Sequence, residues 1–327
     1  MKKLLALIIS VMVILGVSAC EPASPAESYT LMAPDGAPGV VISKIVNDGT
    51  VYGKTVNASI VGGAEEISAN VTNGSADMAV MPLNLAAKLY NGGVKIKLVS
   101  VNIFGSLYMV GKTQINGVSD LVGQVVYNIG RGGTPDLTFK YILKSNNIKS
   151  VESETAVEGK VALQYVAAAS ELVPLLKTNK ASYGIMGEPA VTNCNKAAGT
   201  VTVLNIQEQW KAITGEDYTQ AGFVVSDELA SNRYFMNALC KVLEENEEWC
   251  KTNAASIKDM LKTKGSTLTI DYTAELLGRC NVGYKSAALA KNDVESYFNV
   301  LLGFNPKVIG EKLPDDNFYY GYTTING

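Results

Sequence analysis

Val125-Val126-Tyr127-Asn128-Ile129-Gly130-Arg131-Gly132-Gly133-Thr134-Pro135 is the stretch that decides how this chain folds. Five residues rich in β-branched and aromatic side chains suit a strand, and the three glycines around Arg131 break it. Thr134 before Pro135 has the pattern of a helix N-cap followed by its first helical position. The apolar spacing that follows predicts a helix over Thr134–Ser145.

The same beat recurs in both directions. Strands are expected over residues 29–33, 56–61 and 78–81, with helices over 39–47, Ala64–Thr72 and 83–90, and extended chain over 94–104 and 107–110. Beyond the central stretch, strands are expected over Val161–Val166, 181–186 and 200–206, a helix over 170–178, and a short strand at 223–225. After that the pattern is mainly helical, with Phe235, Leu239, Val242 and Trp249 on one face and Glu244, Glu245, Glu247 and Glu248 mostly outward. Short strands alternating with ten-residue helices predict an α/β fold: mostly parallel sheets with helices on both faces. Two blocks of about a hundred residues are expected, with crossings between them near 109–113 and 219–225.

The first 20 residues read as an export signal. Lys2 and Lys3 precede an apolar run from Leu4 to Gly16, and Val17-Ser18-Ala19-Cys20 has the form of a lipobox. The run is too short to span a bilayer stably. On this reading residues 1–19 are cleaved, Cys20 is lipidated, and the chain up to residue 28 is a Pro/Ser/Ala linker. Acyl chains contribute about 0.8 kcal/mol per buried methylene, so they would tether an extracytoplasmic protein to a bacterial cell membrane.

Cleavage removes 19 of 327 residues and leaves 308; losing Lys2 and Lys3 takes the basic count from 28 to 26 against 31 acids, a net charge of −5. A mildly acidic chain whose Arg residues are Arg131, Arg233 and Arg279 has no electrostatic footprint for nucleic acid. There is no His. That excludes Ser-His-Asp and Cys-His catalysis, imidazole acid–base chemistry and His-based metal sites together. Cys194, Cys240, Cys250 and Cys280 remain after Cys20, with no C-x-x-C spacing. In an exported chain they predict at least one structural disulfide, in any of three connectivities. No metal or cofactor is expected.

In open parallel sheets, ligands bind beyond the carboxyl ends of strands, where loop glycines admit close approach and helix N–H groups point outward. Four turns here fit that place: Asp35-Gly36-Ala37, Gly62-Gly63, Met81-Pro82 with Asn84 just inside the next helix, and Gly130-Arg131-Gly132-Gly133-Thr134. The last offers backbone donors and a guanidinium to an anion; the same residues also describe a tight turn with a solvent-facing Arg. Pro135 stands where a dinucleotide fingerprint needs its third glycine, and there is no P-loop. Glu188, between Gly187 and Pro189, suits an amine or a base N–H, or a surface carboxylate. Tyr319, Tyr320 and Tyr322 read as packing of the tail, and Asp315-Asp316 as a solvated pair.

Taken together the lipobox, Leu31-Met32-Ala33-Pro34-Asp35-Gly36-Ala37, Asn73-Gly74-Ser75-Ala76-Asp77-Met78-Ala79-Val80, Ile129 to Pro135 and Tyr183-Gly184-Ile185-Met186-Gly187-Glu188-Pro189 resemble the solute-binding lipoproteins of ABC importers. The nearest subgroup is the nitrate/sulfonate/taurine and thiamine-precursor (NMT1-like) binders, and the likeness runs from about residue 28 to 327. It implies a two-lobed type II periplasmic-binding-protein-like fold with mixed sheets and a two-strand hinge. Lobe 1 would be residues 29–111 plus 221–327 and lobe 2 residues 112–220. A monomer would close on a sulfonate, a nitrate-like anion or a pyrimidine or vitamin precursor and deliver it to an ABC permease. The turns named above would line the cleft. Two other readings go with this fold: a ligand-sensing or partner-docking lipoprotein, and an enzyme resembling thiamine-pyrimidine synthase. The enzyme relies on His and a Cys cluster that this chain lacks.

Overall fold

In the computed structural model, which describes residues 28–322, the strand–turn–helix beat builds two separate sheets. The strands are β1 (Ser28–Pro34), β2 (Thr50–Val51), β3 (Lys54–Val61), β4 (Met78–Pro82), β5 (Ile96–Ile103), β6 (Leu107–Gly111), β7 (Val125–Ile129), β8 (Ser150–Glu152), β9 (Val161–Val166), β10 (Tyr183–Gly187), β11 (Val201–Asn205), β12 (Ala221–Ser226) and β13 (Val282–Ser286). One sheet has the order β13-β5-β12-β4-β1-β3-β2, the other β11-β6-β10-β7-β9-β8. Both are mixed. β1 pairs parallel with β3 and β4, whereas β12 runs antiparallel between β4 and β5; in the second sheet β10, β7, β9 and β8 are parallel and β6 runs against β10 and β11. The result is a two-lobed mixed α/β fold.

Local chemistry explains the central unit. Gly130 holds φ 68°, a left-handed conformation open to glycine at no steric cost, and the Gly133 amide closes back on the Gly130 carbonyl at 2.8 Å. The helix Thr134–Ser145 follows with Pro135 in its first turn, Asp136 near its start and Lys144 near its end, each sign matched to the helix dipole. Leu137, Phe139, Ile142 and Leu143 are buried by it. Residues 39–47 differ from expectation. The Ile42 amide tightens onto the Gly39 carbonyl, so two short helices, Ala37–Val41 and Ser43–Asp48, replace one.

β6 departs from the sequence reading in a way that moves the lobe boundary. Expected with the first lobe, Leu107–Gly111 instead pairs along its length with β10 and β11 of the second sheet. The first crossing therefore lies at residues 104–106, and the second runs through 218–220 into β12. These crossings are laced together. The Gln220 amide donates to the Ile103 carbonyl at 2.9 Å, and the Gln220 side-chain oxygen accepts from the Ser106 amide at 2.9 Å. Just beyond the first crossing, and within the second lobe, Gln207 of the helix Ile206–Thr214 accepts from the Leu107 amide at 3.0 Å.

One apolar core fills the first lobe around Leu31, Val41, Phe223, Phe235 and Leu261. Another runs from Val101 through Val126 and Phe139 to Trp210, Tyr218, Tyr297 and Phe298. The helix Ala287–Phe304 leaves β13 in the first sheet, and its Tyr297 ring meets Trp210 and Tyr218 of the second lobe, each at 5.5 Å.

The expected disulfide is absent: Cys194, Cys240, Cys250 and Cys280 are all free thiols. Cys240 and Cys250 lie ten residues apart on the helix Arg233–Thr252, about 15 Å along its axis and beyond bridging distance. Cys194 packs in an apolar cluster of the second lobe, whereas Cys250 and Cys280 pack in the first. Burial pushes the Cys250 thiol up to about 12 and raises Cys194 and Cys280 too, so these behave as small apolar core residues. Cys20, its lipobox and the linker through residue 27 lie outside the described residues.

Candidate functional site

The carboxyl ends of the parallel strands in the two sheets face one another, and polar contacts bridge them. Gly36, with φ 108°, ends the turn after β1. The next amide, Ala37, donates to the backbone carbonyl of Glu188 across the lobes at 3.2 Å. A Cβ on Gly36 would stand 3.5 Å from that same carbonyl in a conformation side chains rarely adopt, so glycine permits the approach. Further along, the Thr134 hydroxyl donates to the Asn84 side-chain oxygen at 2.9 Å, joining the helix starts after β7 and β4. Both residues are buried.

Glu188 is the electrostatic centre of this junction. Its side chain is 0% exposed. One oxygen accepts from Arg279 Nε at 2.6 Å and from the Thr192 hydroxyl at 3.0 Å; the other accepts from the Thr192 amide at 3.0 Å, which caps the helix Ala190–Ala198. Arg279 comes from the helix Ala274–Cys280 of the first lobe, so the pair spans the lobes. Its guanidinium also donates to the Thr202 hydroxyl at 3.2 Å and lies 4.3 Å from the Tyr108 ring centroid. The Tyr108 hydroxyl donates to the Arg279 carbonyl at 3.2 Å, and burial raises its pKa.

A neutral polar cluster lies beside the Thr134–Asn84 contact. The hydroxyls of Thr138 and Tyr218 lie 2.6 Å apart in full burial. Burial holds Tyr218 and Tyr297 as neutral phenols, with the Thr134 hydroxyl beside Tyr297. Asn128 is fully buried on the face of β7 that it shares with Val126, beneath the helix Thr134–Ser145. Among the described residues neither atom of its amide has a hydrogen-bond partner, nor does Thr219 Oγ1.

The structure separates the residues singled out by sequence into three groups. Gly36, Ala37, Asn84, Thr134 and Glu188 meet at the junction. Asp35 and Met81 serve the first lobe. The Asp35 carboxylate accepts from Gly36, Ser266 and Thr267 and ties two loops together, while Met81 is a fully buried core residue. Gly62 and Gly63 precede the helix Ala64–Thr72, which carries no side-chain cap.

Arg131 takes the solvent-facing alternative. Its side chain is 66% exposed and pairs with Glu152 through both Nε and a terminal nitrogen, beside Tyr165. The Gly132 amide beside it is already taken by Asp136, at 2.8 Å. Arg279, Tyr108, Tyr218, Tyr297 and Asn128 went unmarked by sequence; the scarcity of Arg was the one available signal. Two surface cavities of about 600 and 490 Å³ lie around Lys97 and Asp227 and around Lys144 and Phe304; none of the strand-end turns lines them. Among the described residues no group of three or more Cys, Asp or Glu is placed to hold a metal, and no helix is long and apolar enough to cross a membrane.

No protein-family model matches the chain, and no curated protein sequence matches it. Solved structures do. An ABC transporter structure from Parabacteroides distasonis superposes with a TM-score of 0.74 at 22% identity, covering 90% of this chain and 99% of that one. The alkanesulfonate-binding protein of Xanthomonas axonopodis pv. citri, bound to MOPS, superposes with a TM-score of 0.61 at 10% identity, covering 91% and 98%. The nitrate-binding protein of Synechocystis reaches 0.56 at 16% identity, covering 75% and 68%. The chain therefore has the two-lobed fold of the solute-binding proteins of ABC transporters.

Proposed function

We propose that this protein captures a small solute between its lobes and delivers it to an ABC permease, without catalysing a reaction. The observation that carries this reading is the set of contacts between strand-end turns of the two lobes: Ala37 to Glu188, Thr134 to Asn84, and Arg279 to Glu188. Contacts of this kind exist only while the lobes are together, so a solute that touches both lobes has differential affinity for that state and shifts the population toward it. The laced crossings at 104–106 and 218–220 supply the hinge. In this reading Cys20 carries the lipid that holds the protein, as an extracytoplasmic monomer, at the membrane where its permease sits.

The test is closure on binding. X-ray scattering of the soluble chain beginning at Glu21 is expected to show a smaller radius of gyration on saturation with the solute. A solute at 100 times its Kd stabilises the fold by about 2.7 kcal/mol, read as a raised melting temperature. A broad solute panel that changes neither quantity overturns the proposal.

A further inference from the structure

We propose that the outer end of the first lobe rests on the lipid bilayer, with Tyr52 and Tyr234 set into its headgroup layer. This inference rests on the reading of Cys20 as the lipid anchor and gives the tethered protein a second point of membrane contact.

The two rings form an exposed aromatic patch. Tyr52 is 59% exposed and Tyr234 71%, and they stack with centroids 6.2 Å apart and planes 10° from parallel. Single exposed apolar side chains, such as Val122 and Val201 on the second lobe, are ordinary; two large rings in contact mark an interaction surface.

The backbone holds Tyr52 outward at a cost. Thr50 pairs with Thr55 and Val51 with Lys54, so Tyr52-Gly53 is a two-residue hairpin turn. Both of its residues have positive φ, 49° and 70°. Asn-Gly suits such a turn, and a bulky ring at its first position is disfavoured. Turn formation therefore does not account for tyrosine here.

The place of the patch identifies its partner. The carboxyl ends of the parallel strands face the junction, so their amino ends point outward. Ser28 opens β1 and pairs with Thr55, three residues from Tyr52. The Tyr29 ring meets that of Phe235, the neighbour of Tyr234, at 4.7 Å. The chain arriving from Cys20 thus enters the fold beside the two rings. Cys20 lies eight residues before Ser28. Eight residues of chain reach at most about 29 Å, so the anchor keeps this end of the lobe within that distance of the bilayer. Tyrosine is enriched at membrane interfaces, where its ring meets the acyl boundary and its hydroxyl stays wet. Arg233 and Lys54 lie within two residues of the rings in sequence and attract headgroup phosphates.

Quenching by brominated lipid tests this on the full chain, purified from membranes and added to vesicles of phosphatidylglycerol and phosphatidylcholine. The indoles of Tyr52→Trp and Tyr234→Trp, read as the difference from the parent, are expected to lose roughly half their emission or more. That of Val122→Trp, on the second lobe, is expected to be unaffected. Quenching at positions 52 and 234 no greater than at 122 overturns the proposal and leaves the anchor standing. A double variant, Tyr52→Asn with Tyr234→Ser, separates membrane contact from folding. It is expected to melt within about 2 °C of the parent, since surface changes cost little and Asn-Gly suits the turn. Its transfer from one vesicle population to another is expected to be roughly tenfold faster. An unchanged transfer rate overturns the proposal, and so does a large fall in melting temperature, which assigns the rings to the fold. A purified chain whose mass shows no lipid on Cys20 overturns the anchor reading itself.

Discussion

Two strand-end turns of the same sheet, Gly130-Arg131-Gly132 after β7 and Gly187-Glu188-Pro189 after β10, resemble each other in sequence and differ in everything else. Each sets one charged residue among glycine or proline at the end of a parallel strand. Arg131 is 66% exposed and pairs with Glu152 within its own lobe; Glu188 is 0% exposed and pairs with Arg279 of the other lobe. The more conspicuous motif is the solvated one. In a two-lobed protein, a turn matters to the junction when the other lobe comes to meet it, and glycine content does not report that.

The strongest way to break this comparison is Glu188→Ala. It leaves Arg279 without its carboxylate and uncaps the helix Ala190–Ala198. Glu188 is buried but the Arg279 side chain left behind is 30% exposed, so loss of the charge-assisted bond costs about 1.5–3 kcal/mol, and the urea midpoint is expected to fall markedly. A fall no larger than that of an exposed ion pair would make Glu188 equivalent to Arg131. Next in size is Thr134→Val, which deletes the bond to Asn84. A net loss of about 1 kcal/mol is expected, appearing as a larger open population by scattering rather than as a loss of fold. Unchanged scattering would show that this bond does not bias the lobes.

Arg131→Ala should do less. Its exposed pair with Glu152 contributes about 0.2–1 kcal/mol, and that difference should vanish in 1 M salt while the effect of Glu188→Ala persists. Loss of solute affinity in Arg131→Ala would reverse the comparison. The smallest effect concerns the thiols. Reductant should leave the unfolding midpoint unchanged, and denatured soluble chain beginning at Glu21 should titrate as four thiols with Ellman's reagent, because Cys194, Cys240, Cys250 and Cys280 are free. In the native protein the Cys250 thiol, pushed up to about 12 by burial, should react slowly at neutral pH.

These outcomes also show what a sequence can carry. The bounds of the helix Thr134–Ser145 were legible because glycine and proline act locally on the backbone, but the expected N-cap was not: Gly133 takes that position, and the Thr134 hydroxyl, one residue inside the helix, turns to Asn84 instead. β6 was visible as a strand, but its sheet was not. All five of its residues are buried, so no alternation marks a face, and its partners lie 72 to 97 residues away, at 183–187 and 201–205. The site divides in the same way. Asn84, Thr134 and Glu188 could be found as residues at strand ends. Arg279 meets Glu188 across 91 residues, and Asn128 looks like any polar residue in a strand until its burial is seen. Pairing over that distance is a property of the packed lobes, and one sequence does not record it.

The lacing of the two crossings has a mechanical consequence. Two separate strings between rigid bodies allow twisting, sliding and bending alike. Tied side by side through Gln220, they form a ribbon that folds readily across its width and resists torsion. On the proposed closure, such a ribbon guides the lobes along a single path. Each closing then returns Glu188 to Arg279 and Thr134 to Asn84 without a search, so a solute need only stop the swing, not steer it.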